Sequence, residues 1–196
     1  MSMNTPAADW RHRLARPVAE RAARGLMRLH ISADALTLAG FLIVAAASGL
    51  IIAGQMLWAG VVMVLGSLLD GVDGAVARLA QRSSRFGAAL DSALDRLSEG
   101  VVLVALVYVL AADGDALAAA LAGTTLLFSF MVSYVRARAE ALGLACSEGW
   151  FTRVERVIVL ALGLITGYVV IALSIVAALS FFTFLQRMYV VRQKAK

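Results

Sequence analysis

Four aspartates stand within a 26-residue stretch, Asp70 and Asp73 three residues apart and Asp91 and Asp95 four residues apart. Spacings of three and four place side chains on one face of a helix. Each pair therefore reads as two carboxylates pointing the same way. Brought together, the pairs carry about four negative charges, which hard divalent cations with oxygen ligands can offset. Two Mg2+ or Mn2+ ions would balance that charge and could hold a phosphate group between them. Two other uses of the acids compete with this one. Pairing with Arg78, Arg85 and Arg96 leaves the two facing pairs unexplained. A proton or cation pathway, with the chain as a non-catalytic cation carrier, fits poorly with acids gathered near one membrane surface.

Glycine and arginine frame the acids. Gly74 follows Asp73, and Gly87 precedes Asp91 by one helical turn. A residue without a side chain lets a ligand approach the backbone, although glycine also serves close helix packing in membranes. Arg78, one turn beyond Gly74, can reach a phosphate or simply contribute to the topology signal.

The elements that must carry these groups are apolar. The chain has 196 residues, 61% hydrophobic and 16% charged, with a mean hydropathy of +0.84. This excludes a disordered chain and argues against an ordinary water-soluble domain, in which about a quarter of residues are charged. Two prolines disfavour an all-β or loop-rich design. The single cysteine, Cys146, cannot form an internal disulfide. The expected fold is an all-α integral membrane protein.

A membrane crossing needs about 20 mostly apolar residues, and the pattern predicts six. They run over 36–52, 56–69, 87–112 and 117–135, then a fifth after Arg156 and a sixth ending near Tyr189. The turn between the last two is expected within 167–174. Asp70 and Asp73 then sit at the end of the second span, and Asp91 and Asp95 one and two turns into the third. Residues 34–196 form the membrane domain in this reading, and residues 1–33 precede it. Within them Trp10, Leu14, Val18 and Leu26 recur between arginines, the pattern of an interfacial amphipathic helix, with a break or kink at Pro17. No cleavable leader is expected, because the residues before Asp34 are too polar for its apolar core.

With six spans, all 18 basic residues fall on one side, and the opposite connections carry only Asp113 and Asp115. Positive charge stays cytoplasmic. Both termini and the aspartates are therefore expected at the cytoplasmic face of the cell membrane.

The run Asp70-Gly-Val-Asp73-Gly74-Ala-Val-Ala-Arg78, followed after eight residues by Gly87, Asp91 and Asp95 at four-residue steps, resembles the signature of the CDP-alcohol phosphatidyltransferases, D-x-x-D-G-x-x-A-R-x8-G-x3-D-x3-D. All eight specified positions match. The resemblance implies a six-span enzyme that passes a phosphatidyl group from a CDP-linked lipid to an alcohol and releases CMP. It also implies that the four aspartates bind two divalent metals at the pyrophosphate and that Asp95 is the base for the attacking hydroxyl. Asp73, Gly74 and Arg78 would contact the CDP moiety, with Gly87 beside the cytidine and Ser84 near the nucleotide. Asp34-Ala-Leu-Thr37 resembles the family segment that closes over the nucleotide, with Ala33 in place of the usual proline. Asp34 equally suits a helix N-cap.

Ser133-Tyr-Val-Arg136-Ala-Arg138-Ala-Glu140, with Arg153-Val-Glu155-Arg156, is similar to the phosphatidylinositol-phosphate synthase branch. That similarity implies that Arg136, Arg153 and Arg156 receive the phosphate of inositol phosphate. Arg136 stands where relatives often have lysine, and Thr152 and Val154 replace a common glutamate and proline. Glycerol 3-phosphate is the alternative acceptor. The same arginines suit topology alone, and Arg136 with Glu140, or Arg138 with Glu155, suit surface ion pairs. Glu99, one turn beyond Asp95, lies outside the signature and would orient Arg96 or line a polar cavity. Gly163 and Gly167 form a small-xxx-small pair suited to helix packing or a dimer. A homodimer is expected by resemblance, and membrane lipid but no nucleic acid is expected as a partner.

Overall fold

A computed structural model of the chain describes residues 32–79, 84–146 and 148–195, with the side chains of 70–79 outside the description. The expected interfacial helix within residues 1–33 thus lies almost wholly outside the described residues. The described residues are all helical or connecting. The helices are α1 (Ala33–Ile52), α2 (Met56–Leu79), α3 (Arg85–Ala112), α4 (Ala116–Ala141), α5 (Arg153–Thr166) and α6 (Val169–Lys194).

Glycine closes the tight links. After α1, Gly54 adopts φ +75°, its N–H reaches Ile51 O at 3.0 Å, and Gln55 N–H reaches Leu50 O at 2.8 Å. These paired bonds satisfy carbonyls that the helix end would otherwise strand. The same pattern ends α3 at Gly114, after which the Asp115 carboxylate accepts from Ala118 N–H at 2.9 Å and caps α4. Between α5 and α6 the turn is only Gly167 and Tyr168. It was expected anywhere up to Ser174. That residue instead sits within α6, its hydroxyl bonded back to Val170 O at 2.9 Å, so a polar side chain there does not end the helix.

Among the described residues three helices, α1, α4 and α6, are long and apolar enough to cross a membrane. In α2 the apolar part is the 14 residues Met56–Leu69, ahead of the aspartates. The first half of α3 carries Arg85, Asp91, Asp95, Arg96 and Glu99, and α5 has 14 residues. Large apolar side chains face outward along the chain; Leu42, Trp58, Leu68, Val104, Leu117 and Phe182 are all more than half exposed. Apolar surface on that scale is a liability in water and is ordinary against lipid.

The chain divides into two compact units. The first holds the N-terminal part of α1, the C-terminal part of α2 and α3 as far as Asp95. It contains every residue of the matched signature. The second holds the remainder, and its core gathers Val44, Ile51, Met63, Leu103, Leu106, Leu160, Leu164, Leu173 and Val176. Within it α6 packs on both α4 and α5. Small residues bring these helices close: a Cβ on Gly163 would lie 2.3 Å from that of Ala172. Thr125 Oγ1 also donates across to Leu173 O at 3.2 Å. Gly163 therefore packs helices within one chain, and Gly167 serves the turn.

Candidate active site

The first unit brings together residues far apart in sequence. Ser84 caps α3, its Oγ accepting from Gly87 N–H at 2.8 Å and its carbonyl from Ala88 N–H at 3.1 Å. A Cβ added to Gly87 would lie 2.9 Å from Asp34 Oδ1 and 3.0 Å from Ser84 Oγ. The Asp34 carboxylate thus rests against the N-terminal turn of α3, where the helix dipole favours negative charge. Asp34 is free to do so because Ser32 takes the capping role at α1, its Oγ accepting from Ala35 N–H at 3.2 Å. Thr37, one turn further along α1, is buried and donates to Ala33 O at 3.0 Å.

From Gly87 the face of α3 continues through Asp91 to Asp95, in steps of about 6 Å. Both aspartates are half-buried. Helix α2 runs unbroken through Asp70, Asp73, Gly74 and Arg78 to Leu79. Its aspartate pair therefore also spans one helical turn, although those four side chains lie outside the described residues. The donor set suits a hard divalent cation. It is purely carboxylate oxygen, presented as one-turn pairs on two helices.

The second unit holds the basic residues, and the structure treats them differently. Arg136 is exposed and pairs with Glu140, Nε to Oε1 at 2.8 Å. Arg153 opens α5 and is half-buried. Arg156 is 1% exposed and makes a bidentate pair with Glu99, Nε to Oε1 at 2.6 Å and Nη2 to Oε2 at 2.8 Å. Glu155 does not meet Arg138 in a surface pair. Its carboxylate accepts from Thr152 N–H at 2.8 Å and starts α5 as a capping box.

Two residues make interactions the sequence reading did not foresee. One is Glu99, expected to orient Arg96 or line a polar cavity, which pairs with Arg156, 57 positions away. A second acid one turn deeper than Asp95 in an apolar helix was the signal available. The other is Arg187, counted above only among the 18 basic residues. It is 3% exposed, donating from Nε to Glu148 O at 2.9 Å and from Nη1 to Val132 O at 2.5 Å. Among the described residues no carboxylate pairs with it. It lies within electrostatic reach of Arg136 and Arg156. Gly149, at φ +153°, lies against it, and a Cβ there would come within 3.1 Å of Nη2. Lys194 completes the arrangement, its Nζ 2.7 Å from both Ala145 O and Glu148 Oε1. That hydrogen bond holds the Glu148 carboxyl below the usual glutamate range, while burial pushes the Cys146 thiol up. The connection between α4 and α5 is thus tied to α6 by two cations.

The chain joins apolar helices to paired aspartates, a close approach of Gly87 to Asp34 and Ser84, and a set of exposed and buried arginines. Residues 30–191 match the CDP-alcohol phosphatidyltransferase family. The chain is 39% identical over 176 residues to the archaetidylinositol phosphate synthase of Methanothermobacter thermautotrophicus, covering 86% of this chain and 87% of that one. Two crystal structures of the phosphatidylinositol phosphate synthase of Mycobacterium tuberculosis superpose with a TM-score of 0.82 at 30% identity. One has CDP-DAG bound and covers 89% of this chain and 94% of that chain; the other is in complex with manganese and citrate and covers 88% of each. The chain belongs to the CDP-alcohol phosphatidyltransferase family.

Proposed function

We propose that this chain transfers the phosphatidyl group of a CDP-linked lipid to inositol phosphate and releases CMP. The observation that carries the reading is the meeting of Asp34, Ser84 and Gly87 at the start of the helix face that bears Asp91 and Asp95. A cradle closed by a glycine leaves room for a flat base, and the carboxylates follow it along the same helix.

In this reading Asp70, Asp73, Asp91 and Asp95 hold two divalent cations, Mg2+ or Mn2+. When bound, these neutralise charge on the pyrophosphate and on the departing CMP. Asp73, Gly74, Arg78, Ser84, Gly87, Asp34 and Thr37 bind the CDP head. The acceptor hydroxyl attacks the lipid-bearing phosphorus, Asp95 takes its proton, and the bond from that phosphorus to the CMP oxygen breaks. A positioned base matters because an alcohol is a poor nucleophile at neutral pH.

The acceptor phosphate is received by Arg136 and Arg153, with Arg187 added from the geometry. Among the described residues Arg187 is a buried cation whose hydrogen bonds go to carbonyls, so it retains a full charge for a dianion. Arg156, neutralised by Glu99, supports the cluster from behind. Placing all the basic residues on one side of a six-span topology puts this chemistry at the cytoplasmic face of the cell membrane, with both termini inside.

The test is release of CMP by purified protein from CDP-diacylglycerol, with inositol phosphate, free inositol, glycerol 3-phosphate and serine compared as acceptors. Inositol phosphate is expected to dominate. Activity should vanish with chelator and with Asp95→Asn. Release that is faster with glycerol 3-phosphate would replace the acceptor but keep the reaction class.

A further inference from the structure

We propose that Glu99 and Arg156 are positioning residues for the reaction, setting the rotation and level at which α3 presents Asp95. This rests on the reading of Asp95 as the base. The two side chains form a two-point bridge between α3 and α5, and neither is more than 3% exposed. Such a bridge fixes orientation as well as distance, because the guanidinium fork accepts a carboxylate only in its own plane. A buried ion pair is a poor way to gain stability, since apolar residues of like volume usually serve as well or better. Its presence beside a core cluster built wholly from apolar side chains calls for another use.

Position supplies that use. Asp95 stands four residues before Glu99 on one uninterrupted helix, and Arg153 stands three residues before Arg156. Each proposed functional group is thus about one turn, or 4.5–6 Å, from the bridge, and on the N-terminal side of it in both helices. A helix is stiff over one turn. Turning α3 about its axis at Glu99 turns Asp95 with it, and a base displaced by about 1 Å can lose about 100-fold in rate.

The deciding variant is the double substitution Glu99→Leu/Arg156→Met, which removes both charges and keeps the volume. A role in stability alone predicts a folded protein with normal turnover. The positioning role predicts a folded protein, with Tm in detergent near that of the wild type and the KM for CDP-diacylglycerol within twofold, whose kcat for inositol phosphate falls fivefold or more. A smaller fall in kcat overturns the proposal. If the double variant does not fold, Glu99→Asp takes its place under the same threshold, because it keeps the charge pair while shortening the bridge by one methylene. Asp95→Asn run in parallel separates this proposal from the reading beneath it. An active Asp95→Asn enzyme removes the base, whereas an inactive one beside a fully active double variant removes only the bridge.

Discussion

Arg187 of α6 and Gly149 of the connection between α4 and α5 are in contact: a Cβ on the glycine would lie 3.1 Å from Nη2 and 3.2 Å from Nε of the arginine, and the glycine adopts φ +153°. A side chain at 149 would be strained by the backbone conformation and would press on the guanidinium. The connection is shaped around the guanidinium. Arg187→Lys cannot keep both carbonyl bonds, because an ammonium lacks the planar fork. It is expected to raise the KM for inositol phosphate about tenfold, about 1.4 kcal/mol of binding, and leave the KM for the CDP-lipid unchanged. Gly149→Ala should follow the same pattern. Steady-state CMP release with each substrate varied checks both, and an equal rise in the two KM values would mean a general collapse of the connection.

Gly87→Ala tests the proposed nucleotide cradle. Alanine is the better helix former by about 1 kcal/mol, and the atoms it would meet are the ends of the Asp34 and Ser84 side chains, which can shift. The variant is therefore expected to fold with an unchanged Tm and to bind the CDP-lipid at least tenfold more weakly. Normal donor affinity would take Gly87 out of the site.

Single removal of either partner of the buried pair should damage the fold. Glu99→Ala leaves the Arg156 charge without its counter-charge, at a cost of about 3–5 kcal/mol. The apolar double variant should be less destabilised than this single change. Denaturant midpoints in detergent measure the difference. A single variant no worse than the double would show that the two charges do not depend on each other.

The Lys194–Glu148 bond predicts a pH dependence. Its carboxyl titrates below the usual glutamate range in the folded chain. The bond therefore contributes fully above the unfolded value, about 4.3, and the contribution is lost as pH falls through the lower folded value. Both side chains are about 40% exposed, so the gain is small, on the order of 0.2–1 kcal/mol. The stability difference between the wild type and Lys194→Met should reach that size near neutral pH and disappear in acid. A difference that persists unchanged in acid would assign the effect to the contact with Ala145 O instead.

Much of this arrangement was legible from local pattern. The spacing of Gly87, Asp91 and Asp95 defines a helix face without any structure, and the apolar runs locate α1, α4 and α6 closely. Asp34 was ambiguous because sequence alone cannot choose between it and Ser32 as the cap of α1; the hydrogen bond to Ala35 N–H settles that choice for Ser32. The Glu99–Arg156 pair was illegible because nothing local links residues 57 positions apart. Arg187 was present as a clue, a cation near the end of a long apolar run. Its role depends on carbonyls of Val132 and Glu148, which are contributed by backbone and leave no mark on residue type.

Gly167 and Tyr168 join α5 to α6 at one end, and Arg187 with Lys194 fastens α6 to the segment leading into α5 at the other. Covalent link and ionic clasp close these pieces into a ring. A reporter or affinity handle fused close after Lys194, itself part of the clasp, would pull on it. Such fusions should carry a flexible spacer, and kinetic constants for phosphorylated acceptors measured without one would describe the handle as much as the enzyme.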